Sequence, residues 1–547
     1  MRWRPTAAPW SRLFATGALT ALAACGPSAS VQTRAGVAQV KAAPHRPAAS
    51  PARAASASPS ASSEAPALAD ARHLLNRCAF GPRPGEVERV ARMGTQRWLE
   101  EQLAGPPESP LLQAALVPHS AAFVPPAQLV DDWLGDGWEA ETRTLKELRQ
   151  ETKQHYRDHL RRLATAELTR HILSQRQLEA VMTDFWANHF NVYAAKGFVR
   201  LYEGDYLERA IRPNALGKFS ELLLATARHP AMLLYLDNAE SRRESSASMS
   251  AGKRRGLNEN YARELLELHT LGVDGGYSQR DVQEVARVLT GWSVTQLRGG
   301  RFEYIFKKGA HDRGEKKLLG EVFPAGRGED EGVRLIEFLA RHPSTARHVA
   351  TRLCTRFVAD QAPASCVAAA TSAFRQSDGD IQQVVRAIVK DASFWAPAAR
   401  RGKLKTPLEL VASTARALGA MPDGSLALSR TLEQLGEPLL QERVPTGYPD
   451  SEPEWASGGG MLARMTFATE LGAGKLQGLE VRWHETLPPG ADAVELSNRL
   501  GALLLGAGTG SPLLSAVREE TSAIADPEQR RAAVVALLVG SPEFQRQ

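Results

Sequence analysis

The chain has 547 residues, 43% of them hydrophobic and 23% charged, which is a globular composition with material for one large core or two medium ones. Its formal net charge of +6 does not describe the folded part. Residues 1–68 carry Arg2, Arg4, Arg12, Arg34, Lys41, Arg46 and Arg53 against Glu64 alone, and the remainder is electrically balanced, so charge gives no support to nucleic-acid binding.

Arg2 and Arg4 precede LFATGALTALAA, an apolar run too short to span a bilayer and suited to a signal-peptide core. Leu22-Ala23-Ala24-Cys25 resembles the bacterial lipobox. That resemblance implies a signal peptide over 1–24, cleavage before Cys25, a diacylglycerol on the Cys25 thiol and no retained transmembrane helix. Gly26 is not the aspartate associated with inner-membrane retention, so an outer-membrane anchor is expected in a Gram-negative host. Residues 26–67 contain no aromatic, leucine or isoleucine and are dominated by Ala, Ser and Pro. Such a segment cannot bury enough apolar surface to offset chain entropy, and 25–68 reads as a lipidated cysteine followed by a disordered tether.

From 69 to 547 the pattern is that of a mainly α, multi-helix domain. LADARHLLNRCAFG reads as a helix stopped by Gly81 and Pro82. PGEVERVARMG and TQRWLEEQL follow, starting at Pro84 and Thr95 and separated by Gly94. Residues 126–190 predict one long helix or two in series. Ser278 and Asp281 have capping-box spacing at the start of a helix that stops at Gly291, and another helix starts at Ser344. RFEYIF and KKLLGEVF are the stretches with strand character, and predict one small hairpin within 301–323. The Gly-rich, charged AGRGEDEG marks an internal split near 325–330 as an alternative to a single domain. Cys354 and Cys366 are spaced to close a disulfide across a helical hairpin or to remain two separate buried thiols; Cys78 is then the odd one.

Four segments carry candidate chemistry. In NENYARELLELHTLG, capped by Asn258, a 100° helical wheel places His269 inside a stripe of Tyr261, Ala262, Leu265, Leu266 and Leu268. Glu264 falls at its margin and Glu267 outside. The spacing matches neither the Glu-x-x-His of di-iron helices nor the HExxH of zinc sites. In MTDFWANHFNVYAAKGF, Asp184, Asn188 and Asn191 form one polar stripe, and His189 lies on the adjacent apolar face among many aromatics. His311-Asp312 stands on a loop, either as an acid–base or ligand pair or as turn residues. Lys403 and Lys405 precede the Pro407 helix start, where they either bind an anion or, the blander account, form a solvated face. His73, Asn76 and Arg77 are equally ambiguous. No GxSxG elbow, Walker loop, GxGxxG after a strand, haem-attachment motif or EF-hand loop is present.

HLLNRCAFGPRPGEVERV, DFWANHFNV, HPAMLLYLDN, the long NENYARELLELHTLGVDGGYSQRDVQEVARVLTGW, HDRGEKKLLG, KLKTPLELV and LLVGSPEFQ occur in this order. Together they resemble the bacterial family called domain of unknown function 1800, over nearly everything from 70 to 545. The resemblance implies a large, mostly helical, often exported protein, whose gene neighbours include sulfatase- and phosphatase-like proteins. It transfers no catalytic role. Two functions are therefore expected: a lipid-anchored envelope module that binds or positions a partner, such as a sulfatase/phosphatase-like protein, or an envelope hydrolase using acid–base or divalent-metal chemistry. In the second, Asp184, His189, Glu264, His311 and Asp312 would converge on a cleft, with His189, Glu264 and His311 as the metal-ligand candidates.

Overall fold

A computed structural model describes residues 66–135, 144–243, 256–295, 303–506 and 508–547. The segments expected to form a leader and a tether, with Cys25, lie outside them. The described residues fall within one compact unit, Ser60–Gln547. No helix among them is long and apolar enough to cross a membrane.

Short-range chemistry sets many element ends. Thr144, Ser278 and Thr406 each open a helix with a complete capping box, the N-cap hydroxyl accepting from the third N–H while Glu147, Asp281 or Glu409 reaches back to the N-cap amide. The expected helices appear as Pro66–Cys78, Glu86–Met93, Thr95–Leu103 and Gln279–Leu289. The 126–190 region holds Pro126–Leu134, then a 29-residue helix Leu145–Leu173 in series with Gln177–His189. The helix expected at Ser344 runs Pro343–Phe357, because His342 serves as N-cap and its ring nitrogen accepts from Ser344 N–H.

The fold is mainly α, and the β content is slightly larger than expected. Three two-stranded antiparallel ladders form among the described residues. Tyr304–Phe306 pairs with Trp292–Val294, a segment not read as a strand, and Lys316–Leu318 forms its own hairpin with Glu321–Phe323. Met421–Pro422 pairs with Leu479–Glu480. The 316–323 hairpin turns through Leu319 and Gly320, both at positive φ. That is the twist-compatible two-residue turn, held at the costly leucine by a 2.7 Å bond from its N–H to Asp281.

The centre of the body is the Pro407–Ala417 helix, all eleven residues of which are buried. It packs on Leu145–Leu173, Ala427–Leu435 and Ala493–Leu505. A helix buried on every side is anchored by its polar groups as well as its apolar ones. Arg416 donates to Gly81 O, to Ile172 O and to Glu86. Gly81 (φ +84°) approaches so closely that a Cβ there would lie 3.0 Å from Ser413 Cβ.

The Pro343–Phe357 and Ala364–Gln376 helices form a hairpin closed by a Cys354–Cys366 disulfide, with Cα atoms 6.1 Å apart. Cys78 is a buried free thiol. Linking residues 12 apart removes closure entropy from the unfolded chain. The double substitution Cys354→Ala/Cys366→Ala is expected to lower unfolding free energy by about 2–3 kcal/mol in urea titration, a loss that reduction of the native protein should reproduce.

Candidate functional site: the Asp184 cleft

The polar stripe divides into an acid on the Gln177–His189 helix and a latch formed by Asn188 and, just past the helix end at Phe190, Asn191. Asn188 Nδ2 donates to Tyr448 O at 2.8 Å while its Oδ1 accepts from Tyr448 N–H at 2.6 Å. Asn191 donates to Glu442 O and Val444 O at 3.1 and 2.8 Å. Both asparagines thus hold the 437–450 segment against the helix. Gly447 is required there, since a Cβ would lie 2.4 Å from Asn188 oxygens. Asp184, at the other end of the stripe, faces a narrow cleft of about 70 Å³ under the same segment. Its carboxyl has no hydrogen-bond or ion-pair partner among the described residues.

Three other elements complete the cleft. Pro343–Phe357 contributes Arg352 and Arg356, one turn apart on one face. The buried central helix contributes Glu409, and the latched segment contributes Glu437, Tyr448 and Asp450. Phe185 and Leu439 give an apolar wall. Arg356 forms an ion pair with Glu409 at 2.8 Å, and its Nη1 is buried without a hydrogen-bond partner. Arg352 lines the cleft with no side-chain hydrogen bond or ion pair to any described residue. Asp450 is fixed from behind by Lys403, which also binds Asp360.

The carboxyls are driven to different protonation states. Burial pushes Asp184 up to about 7, against the pull of Arg356 and with the help of Glu409 and Asp450. Burial raises Glu437 to about 8 although it accepts from Leu408 N–H at 2.7 Å; the nearby Asp184 adds to the rise. Burial would raise Glu409 too, but Arg356 prevails and holds it below its ordinary value. Near neutral pH the cleft therefore offers a proton on Asp184 or Glu437, an ionised Glu409 and two guanidiniums, the separated pair of settings that acid–base chemistry uses.

The remaining candidates lie elsewhere. His189 is buried beside His269 and His348, with ring centroids 6.3 and 6.0 Å away, and its Nε2 meets His269 O at 3.3 Å. The NENYARELLELHTLG segment is α-helical over Glu259–Glu264 and a π-helix over Leu265–Thr270. The wider turn rotates Leu268 part-way out of the stripe and brings Thr270 in, its hydroxyl donating to Leu265 O. Glu264 is half-buried and raised by burial and by Glu267; its charge acts on Tyr235, whose hydroxyl donates to Arg443 O. His311 bonds Thr290 O through Nδ1 and faces Glu331 through Nε2. Asp312 is bound by Arg287 at 3.0 and 3.1 Å and by Gly314 N–H. Fully buried Lys316 joins Glu331 at 2.5 Å. These last groups form an ion network around the small hairpin. Among the described residues no group of three or more His, Cys, Asp or Glu is arranged to hold a metal ion, so His189, Glu264 and His311 are not brought into one coordination sphere. Lys403 and Lys405 are buried, not a solvated face. His73 bonds Phe394 O, and Arg77 bonds Val358 O and Ala399 O, so both serve packing.

Arg352, Arg356, Glu409, Glu437, Tyr448 and Asp450 were not among the residues singled out from sequence. Arg352 and Arg356 at i, i+4, on either side of buried Leu353 and Cys354, were the legible signal.

A helical body with a latched cleft of buried acids and arginines has thus been built from segments spanning residues 73 to 546. The family model described as Protein of unknown function (DUF1800) matches that interval, and the chain belongs to that family. Comparisons with curated proteins and with solved structures give no match.

Titration of the site and of the histidines should act on stability in opposite directions. His189, His269 and His348 are lowered by burial, His269 to about 3, so they fold neutral while the unfolded chain takes up protons near 6.5. Stability is present above that pH and lost as pH falls below it. Asp184 and Glu437 are raised, so their contribution is present below about 4 and lost as pH rises through about 7–8. Chemical denaturation from pH 5 to 9 isolates the acid contribution when Asp184→Asn is measured beside the wild type. Asp184→Asn should gain on the wild type by on the order of 1–2 kcal/mol between pH 6 and 9.

Proposed function

We propose that this chain is an exported cell-envelope protein, anchored by a lipid on Cys25, whose Asp184 cleft binds a polar ligand through an anionic or carbonyl oxygen and carries out acid–base chemistry on it. The observation that carries the reading is a carboxyl held near 7, without a protein partner, in the same cleft as an arginine without one. Arg352, and the buried unpartnered Nη1 of Arg356, would receive the ligand oxygen. Asp184 would give up or accept the proton, and Glu437, anchored to the N-terminus of the central helix, would share it. The apolar Phe185 and Leu439 surface limits water at the reacting bond. The cleft is narrow, which suits a chain end or a single group of a larger envelope polymer. Support for the anchor is the Arg2/Arg4 start, the short apolar run and the small residues before Cys25, followed by the Ala/Ser/Pro tether.

A second reading is a non-catalytic module that positions an envelope partner, such as a sulfatase/phosphatase-like protein. It is favoured by the role of Asn188 and Asn191, which hold a segment in place and present nothing to a ligand.

The two separate cleanly. Intact mass of native protein should show cleavage before Cys25 with acylation, and Cys25→Ser should move the protein from the membrane to the soluble fraction. On a panel of envelope-polymer and ester substrates, activity should fall as pH rises through about 7 as Asp184 loses its proton. Asp184→Asn should reduce kcat by about 10²–10⁴, and Arg352→Met should chiefly raise KM. Wild-type rates in Asp184→Asn, with the fold intact, would leave the module reading.

A further inference from the structure

A second, smaller cavity of about 20 Å³ lies beside the central helix, lined there by Ser413 and Ala417. Arg72 from Pro66–Cys78, Arg401 from the loop before the central helix, and Arg546 from the C-terminal segment line it together with Lys405. Glu543 is the acidic liner. Asn76 and Ser413 add neutral polar groups.

Lys405 is the unusual member. It is 4% exposed. Its main-chain N–H bonds Gln545 O, and its carbonyl accepts from Arg464, which fixes the backbone on both sides. Its ammonium sits 3.7 Å from the Phe544 ring centroid, yet makes no hydrogen bond or ion pair with any described residue. A buried ammonium with only an aromatic face for company is under-satisfied: the ring offsets part of the desolvation but supplies no acceptor for its three donors. Lys403, two residues away, shows the ordinary solution, with Asp360 at 2.6 Å and Asp450 at 3.1 Å.

We infer that this cavity is a binding site for a small monovalent anion of halide size, held by the Lys405 ammonium and the field of Arg72, Arg401 and Arg546. The volume suits one occupant of about water size and excludes large oxyanions. The position gives the occupant a consequence: Lys405 immediately precedes Thr406, whose capping box with Glu409 begins the helix that enters the Asp184 cleft. This inference is independent of the chemistry proposed for that cleft.

The site is also pH-dependent. The groups acting on Lys405 are Glu409 on the helix that follows it, Arg401, Arg464 and Arg72, with Glu543 and Arg546 at the cavity. Burial, reinforced by the arginines and opposed by Glu409, lowers the ammonium to about 7. The empty site therefore loses its proton as pH rises through about 7, and an anion, which needs the charged form, binds with uptake of that proton.

Thermal unfolding of the folded body decides it, measured in chloride or bromide and in the bulky anion isethionate at matched ionic strength. At pH 6, each tenfold increase in chloride should raise Tm by about 1–3 °C over isethionate, with a smaller rise at pH 9. Lys405→Met, which keeps the apolar stem against Phe544, should abolish the difference. If that variant fails to fold, bromide-soaked crystals of the wild type supply the second measurement, with an anomalous peak expected within about 4 Å of Lys405 Nζ. Equal Tm in chloride and isethionate, an undiminished chloride response in Lys405→Met, or bromide-soaked crystals with no peak there would each overturn the site.

Discussion

Everything in this body is arranged around a helix that has no wet side. Pro407–Ala417 is buried through its whole length, so each polar group it carries needs an internal partner. Thr406 and Glu409 satisfy the first turn, Thr414 bonds back to Leu410 O, and Arg416 reaches Gly81 O, Ile172 O and Glu86 across the interface. The Glu409 charge demands Arg356, and Arg356 brings the disulfide-closed hairpin against the helix start. The cleft exists because that chain of obligations converges on one helix end without being fully discharged there: Arg352, Asp184 and one nitrogen of Arg356 are left over. Such remainders at a concave, partly apolar surface are where binding free energy is available.

The titratable groups fall into two buried populations. The histidines are held neutral by desolvation and packed on aromatics, as with His189 against Trp186 and Phe190. They stabilise through shape and backbone hydrogen bonds. The cleft acids are also held towards neutrality, but in a setting where Glu409 and two guanidiniums supply fixed charge within reach. The same desolvation acts on both sets, but Asp184 lines a cleft and His189, His269 and His348 do not.

Much of the architecture could be read from the sequence because it is local. Capping boxes at Ser278, glycine stops at Gly94 and Gly291, and Pro starts mark helix ends within a few residues. The family resemblance rested on a long string of motifs in fixed order, and the family model matches residues 73–546. The site was half legible. The Asp184–Asn188–Asn191 stripe showed, but its division into acid and latch depends on a segment some 250 residues away. Arg352, Glu409 and Glu437 come from three more places, and periodicity within one helix carries no information about them. The 304–306 strand found its partner in Trp292–Val294, and the 100° wheel misplaced Leu268, because a π-turn is not visible in residue spacing. Lys403 and Lys405 looked like solvent lysines because what buries them, Asp360 and Asp450 around Lys403 and the Phe544 ring against Lys405, is remote in sequence.

The latch over the cleft grips main chain, not side chains: Asn188 and Asn191 bond the carbonyls of Tyr448, Glu442 and Val444 and the amide of Tyr448. Apart from Gly447, whose missing Cβ lets the strap sit down, this grip is indifferent to what the strap residues are. Divergence along 438–446 can therefore retune the mouth of the cleft while its closure stays intact.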